Sequence, residues 1–194
     1  MATVIGIAGS ARRNGNSTTL MRAALRGVAA AGAETSEVCL DDLPYHGCRG
    51  CARCAPDGGC VIDDALTPVL EELREADGWI LASPIYFDGV TGQMKSFYDR
   101  CYHFTRDPAT AESRPQLAGR RVGLVIVTYE DEPRDDYRHA AAVLANYLGW
   151  MGDFGEVGVV AEGGLGPADA AANRPDLLAR VEAMGRETFG SIRH

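Results

Sequence analysis

The chain has 194 residues, 46% of them hydrophobic and 24% charged, an ordinary balance for one globular domain with a sizeable core. A net charge of −8 without any basic stripe argues against nucleic acid as a partner, and no apolar run approaches the about 18 residues of a membrane span. The N-terminal MATVIGIAGS lacks the basic lead and cleavage site of a signal peptide, so a cytoplasmic location is expected, where thiols stay reduced.

ATVIGIA (2–8) is a short apolar run ending in Gly-Ser, a buried-strand signal. From Ser17 onward Met21, Ala24, Leu25 and Val28 recur at helical spacing, and Gly32 stops them. ETSEVCL (34–40) reads as a more polar second strand, suited to an edge. Leu66, Val69, Leu70 and Leu73 mark a second helix face, with Asp64 placed as its N-cap and Pro68 in its first turn. GWILAS (78–83) is a third strand, closed by Ser83-Pro84 because proline cannot donate to the ladder. A helix is expected over about 92–102, then a polar loop near 106–116. RVGLVIVT (121–128) is the fourth strand. A helix over about 135–149 carries Tyr137, Ala141, Leu144 and Leu148 on one face. GEVGVVAE (155–162) is a fifth strand and PDLLARVEAMGRETF (175–189) the last helix.

Alternating strands and helices specify a parallel sheet with helices on both faces, since parallel neighbours need crossover connections. Five strands favour the doubly wound five-stranded order, in one domain, and place ligands outside the carboxyl ends of the strands. The first such loop, GSARRNGNSTTL (9–20), lacks the GK[ST] ending of a Walker loop and is not GxGxxG. It still has the parts of an anion cradle: short polar side chains at Ser10, Asn16, Ser17 and Thr18, a helix N-terminus, and Arg12 or Arg13 for a charge-assisted contact. A plain N-capped helix uses the same residue types, and the residues alone leave both readings open. In the loop after the third strand, Ile85, Tyr86 and Phe87 stand at a strand end, where aromatics either line a flat ligand or cover the core.

The remaining motif is CRGCARCAPDGGC (48–60), in which Cys48, Cys51, Cys54 and Cys60 follow a C-x2-C-x2-C-x5-C spacing. Four thiolates this close suit a [4Fe–4S] cluster, with Gly47, Gly50, Gly58 and Gly59 letting the backbone wrap closely. Free thiols are the competing reading. Zinc ribbons usually pair two separated knuckles, and disulfides conflict with a reducing compartment. Cys39 and Cys101, in a strand and a helix, read as structural cysteines. Tyr98, Asp99 and Arg100 read as a helix-surface network, and the four histidines, His46, His103, His139 and His194, show no metal-ligand spacing.

Together GSARRNGNST, SPIYF and KSFYDR resemble the NADPH-dependent FMN reductase family of flavodoxin-like flavoproteins, and the cysteine spacing resembles the family's iron–sulfur flavoprotein branch. The resemblance runs from the first strand to about residue 100. It implies FMN, with its phosphate on Ser10, Arg12, Asn16, Ser17 and Thr18 and its ring along Pro84, Ile85, Tyr86 and Phe87; Thr128, at the end of the fourth strand, joins the cofactor-binding set. It also implies NAD(P)H as electron donor, a quinone-like molecule, other small electrophile, free flavin or redox protein as acceptor, and a homodimer or homotetramer completing the pocket through the Phe87–Thr91 loop and the 101–116 region. The alternative it implies is an electron carrier with FMN and a [4Fe–4S] cluster held by Cys48, Cys51, Cys54 and Cys60. One departure stands out: the glycine-rich loop that many members carry after the fourth strand is here the acidic TYEDEPRDDYR (128–138), in which Tyr129 either covers the ring or, the commoner case, is an exposed loop residue.

Overall fold

The computed structural model describes residues 1–54, 59–107, 109–110, 112–132, 137–155 and 157–190. Gly58, His194, Glu156 and the stretch 133–136, on which some of the expectations above fall, lie outside the described residues. Five parallel strands form the main sheet: β1 (Thr3–Ala8), β2 (Glu34–Cys39), β3 (Gly78–Tyr86), β6 (Val122–Thr128) and β8 (Gly158–Glu162). Their order is β2-β1-β3-β6-β8, the doubly wound flavodoxin-like order, with its switch point between β1 and β3. β2 is the exposed edge that its polar sequence predicts.

Alternation along the strands sorts side chains to two cores. Ile5, Ile7, Trp79, Leu81, Val125 and Val127 face α2 (Thr67–Glu75), α3 (Gly92–Arg100) and α4 (Arg138–Met151). Val4, Ala8, Ile80, Ala82, Leu124 and Ile126 face α1 (Asn16–Ala30) and α5 (Pro175–Phe189). Helices α1 and α5 cross at glycines: a Cβ on Gly27 would overlap the Glu182 carbonyl, and one on Gly185 the Ala24 carbonyl. A small parallel pair, β5 (Leu117–Arg120) with β7 (Gly152–Asp153), lies off the main sheet.

The third strand departs from the sequence expectation. It does not end at Ser83: Pro84 still pairs with Thr128 of β6, and Ile85 and Tyr86 turn back as a hairpin onto β4 (Gly89–Val90). Proline's missing N–H ends only the donating side of the ladder. Phe87 (φ 49°) and Asp88 (φ 62°) form the hairpin's two-residue turn, both left-handed as a type I′ turn demands. Helix α2 is capped at Leu66 rather than Asp64, because Asp64 closes the turn before it, accepting from Leu66 N at 3.1 Å, and has a second partner described below.

A candidate flavin site and a cysteine-lined void

The loop between β1 and α1 folds back on itself at the carboxyl edge of the sheet. Gly15 N donates to Arg12 O at 2.9 Å, and Arg12 N to Ser10 Oγ at 3.1 Å. Gly15 is the N-cap of the 15-residue α1, whose first turn carries no acidic side chain, leaving the positive end of the helix dipole for an anion. Ser10, Ser17 and Thr18 are buried, and Arg12 is exposed. Ser17 Oγ is buried without any hydrogen-bond partner. Such an orphan costs about 1–3 kcal/mol unless something arrives to satisfy it, and a phosphate at the helix N-terminus fits that need.

Asn16 is used differently from the phosphate reading. Its amide donates to Leu165 O and Pro167 O, both at 2.8 Å, and its Oδ1 accepts from Ala171 N at 2.9 Å. The side chain ties α1 to the segment after β8, so Asn16 has only its backbone N–H for an anion. Arg13 pairs with Asp42 at 2.9 Å. Arg22 was not singled out by sequence, yet it braces the loop from outside, donating to Arg13 O and Asn14 Oδ1 while forking onto Glu37 at 2.7 and 2.8 Å. That fork holds the Glu37 carboxyl below its usual range.

A buried polar chain locks this loop to the hairpin. Thr91 Oγ1 donates to Gly9 O at 2.7 Å and accepts from Met94 N as the N-cap of α3, while Thr91 N donates to Ser83 Oγ at 3.1 Å. A Cβ on Gly9 would stand 2.8 Å from Met94 Cβ, so the close approach requires glycine. Pro84 and Ile85 are half-buried, but Tyr86 is 54% exposed and Phe87 106%. These two aromatics therefore do not cover the core. Thr128 is buried, and Tyr129 is buried as well, contrary to its reading as an exposed loop residue. Its N–H donates to Glu162 O, its carbonyl accepts from Leu165 N, and its ring packs on Tyr137 with centroids 4.6 Å apart.

The cysteine loop runs along α3. Tyr45 donates to Gln93 O at 2.6 Å near the start of that helix. At its other end Arg100, expected on the helix surface, is wholly buried. It pairs with Asp64 at 2.6 Å and donates to His46 O at 2.9 Å and Ile62 O at 3.0 Å. Burial opposes ionisation of Asp64, but Arg100 and the N–H groups of His46 and Leu66 outweigh it and hold the carboxyl below its usual range. A small void there is lined by Cys48, Cys51, Cys54, Cys60, Arg100 and His103, among others. Burial and the neighbouring thiols Cys60, Cys51 and Cys48 push the Cys54 thiol up, whereas the N–H of Arg53 draws Cys51 down. Among the described residues no three His, Cys, Asp or Glu side chains stand together as a ligand set for a single ion. The residues nevertheless fit an iron–sulfur group in kind: four cysteines line one void, with the buried Arg100 Nε left without a partner beside them.

The void lies at the C-terminal end of α3, some nine residues or about 13 Å along the helix from the Thr91–Gly9 joint. Cys101 is buried as expected, with burial pushing its thiol up. Cys39 is only half-buried and points at Ser10 O at 3.7 Å. A cavity of about 550 Å³ opens next to the cysteine loop, walled by Cys48, Tyr98, Tyr102, Tyr147 and Trp150.

A family model for NADPH-dependent FMN reductase matches residues 2–152. The chain belongs to this family. Among curated proteins it is 46% identical over 97 residues to an iron-sulfur flavoprotein of Methanocaldococcus jannaschii, covering 50% of each chain. It is 35% identical over 123 residues to an iron-sulfur flavoprotein of Archaeoglobus fulgidus, covering 63% of this chain and 53% of the relative. The chain thus spans about half the length of these relatives. An NAD(P)H:quinone oxidoreductase from Methanothermobacter marburgensis superposes with a TM-score of 0.70 at 18% identity, covering 100% of this chain and 99% of that one, a likeness of fold. Consistent with the family's fold, no helix among the described residues is long and apolar enough to cross a membrane.

Proposed function

We propose that this family member is an FMN-dependent NAD(P)H oxidoreductase and that Cys48, Cys51, Cys54 and Cys60 hold a [4Fe–4S] cluster as a second redox group. The observation that carries the flavin half is the orphaned, buried Ser17 Oγ at the N-terminus of α1. Ser10, Arg12, Ser17, Thr18 and the first N–H groups of α1 bind the phosphate. Pro84 and Ile85 offer backbone to the ring's polar edge, and the exposed Tyr86 and Phe87 offer flat surface. Thr128, buried at the end of β6 beside Pro84, closes the floor. When bound, FMN supplies hydride acceptance and one-electron release, and the protein supplies position and electrostatics.

Names of the curated relatives and the four-thiol void support the cluster half. Electrons then leave to a quinone-like or other small electrophilic acceptor, to free flavin, or to a redox protein, and the exposed Phe87 tip and the Tyr102 and Trp150 surfaces favour a homodimer or homotetramer. A second reading, an electron carrier without a small-molecule substrate, is favoured by the same void. Steady-state NAD(P)H oxidation decides between them. Multiple turnovers with a soluble quinone support the oxidoreductase, a single stoichiometric flavin bleach without turnover supports the carrier, and no bleaching by either nicotinamide contradicts both.

A further inference from the structure

Arg100 poses a problem for a purely structural account. A guanidinium taken wholly out of water costs several kcal/mol, and an apolar residue of similar volume fills such a space at less expense. Its partners show what it does instead, because among the described residues every hydrogen bond of its side chain goes to the segment that carries the cysteines. His46 O lies at the loop's entry, and Ile62 O and the Asp64 carboxylate lie at its exit. The fork therefore gathers both ends of a segment with little apolar surface of its own. Its remaining nitrogen, Nε, is buried and unpartnered, and the side chain lines the same void as the four thiols.

We propose that Arg100 is the positioning residue of the cysteine site: its fork clasps His46 on one side of the cysteines and Ile62 and Asp64 on the other so that the four cysteines line one void, and its fixed charge beside that void favours the more reduced state of the group they hold. The second half rests on reading the cysteines as a cluster site; the first does not. Each one-electron reduction there adds one negative charge and no atoms, so an adjacent cation that does not titrate stabilises the reduced side. Asp64 offsets that charge, and the two residues therefore act in opposite directions.

The test compares wild type with Arg100→Lys, Arg100→Met and Asp64→Asn in the full chain, reconstituted anaerobically with ferrous iron and sulfide. Thermal melting serves as the check on folding. Iron and sulfide content, the midpoint potential from a dithionite titration followed optically, and the alkylation rate of the loop thiols in iron-free protein are the readouts. Arg100→Met should lose most of its iron, expose the loop thiols to alkylation several-fold faster, and disfavour reduction of what remains at least tenfold, which is 59 mV for one electron. Asp64→Asn should shift the potential the other way, with Arg100→Lys between wild type and Arg100→Met. If Arg100→Met does not fold, Asp64→Asn still decides the sign. Loaded variants with wild-type iron and reduction equilibria within twofold of one another would overturn the proposal. Iron-free wild type would defeat the cluster reading alone; the clasp would then stand or fall on alkylation, and equal rates in wild type and Arg100→Met would overturn it.

Discussion

At the scale of single residues, the chemistry turns on groups whose hydrogen-bonding capacity the fold leaves unused. Ser17 Oγ has no hydrogen-bond partner within the chain, so Ser17→Ala removes no intramolecular bond. The variant should melt at or slightly above the wild-type temperature while binding FMN more weakly by about 1.5–3 kcal/mol, the worth of a hydrogen bond to a charged group, read by fluorescence titration. A loss of stability with unchanged affinity would assign the hydroxyl to the fold instead. His103 gives a pH signature. Burial lowers its pKa to about 4, while its Nδ1 lies 2.8 Å from Arg100 O. An unfolded histidine titrates near 6.5. Between those values the unfolded chain binds the extra proton, so this contribution is whole above about pH 6.5 and is lost as pH falls toward 4, at no more than about 1.4 kcal/mol per pH unit. Urea midpoints for wild type and His103→Gln at pH 7.5 and 5 should converge as pH falls. None of this was legible from the sequence: a histidine's burial depends on what the turn after α3 packs against, and no spacing rule marks it. Arg100 was misread for the same reason, since KSFYDR gives no sign that its arginine turns inward to meet Asp64, 36 residues earlier in the chain.

At the scale of elements, period and punctuation carried the reading well. The five strands and α1 were legible because their apolar runs are short and bounded by Gly, Ser and Asp. The hairpin was not, because Ser83-Pro84 looks like a stop, and Phe-Asp is a poor sequence signal for a turn that wants Asn-Gly. That mismatch is itself informative. Two non-glycine residues with positive φ, one of them a fully exposed phenylalanine, cost of order 1 kcal/mol or more each, a strain that sites of function retain. Replacing Phe87-Asp88 with Asn-Gly should therefore raise stability by about 1 kcal/mol in urea unfolding and weaken FMN binding. A drop in stability would mean that the ring packs against another copy of the chain. The Thr91–Gly9 and Thr91–Ser83 bonds explain how such a hairpin stays in register with the loop between β1 and α1, a joint that no local sequence signal marks.

For the whole molecule, the two proposed sites sit at different ends of one layer: the β1–α1 loop and hairpin at the carboxyl edge of the sheet, and the cysteine-lined void at the far end of α3. The doubly wound order fixes the first, as the alternation of strands and helices foretold. The second follows from where Arg100 draws the 46–64 loop, which no topology rule supplies. The most direct test of the account is composition. Protein prepared anaerobically from cells grown with ample iron should carry one FMN per chain and about four iron and four acid-labile sulfide, with the Ser17→Ala, Thr18→Ala double variant losing flavin and keeping iron. Wild-type protein that arrives without flavin and takes up none when FMN is added would contradict the account at its centre.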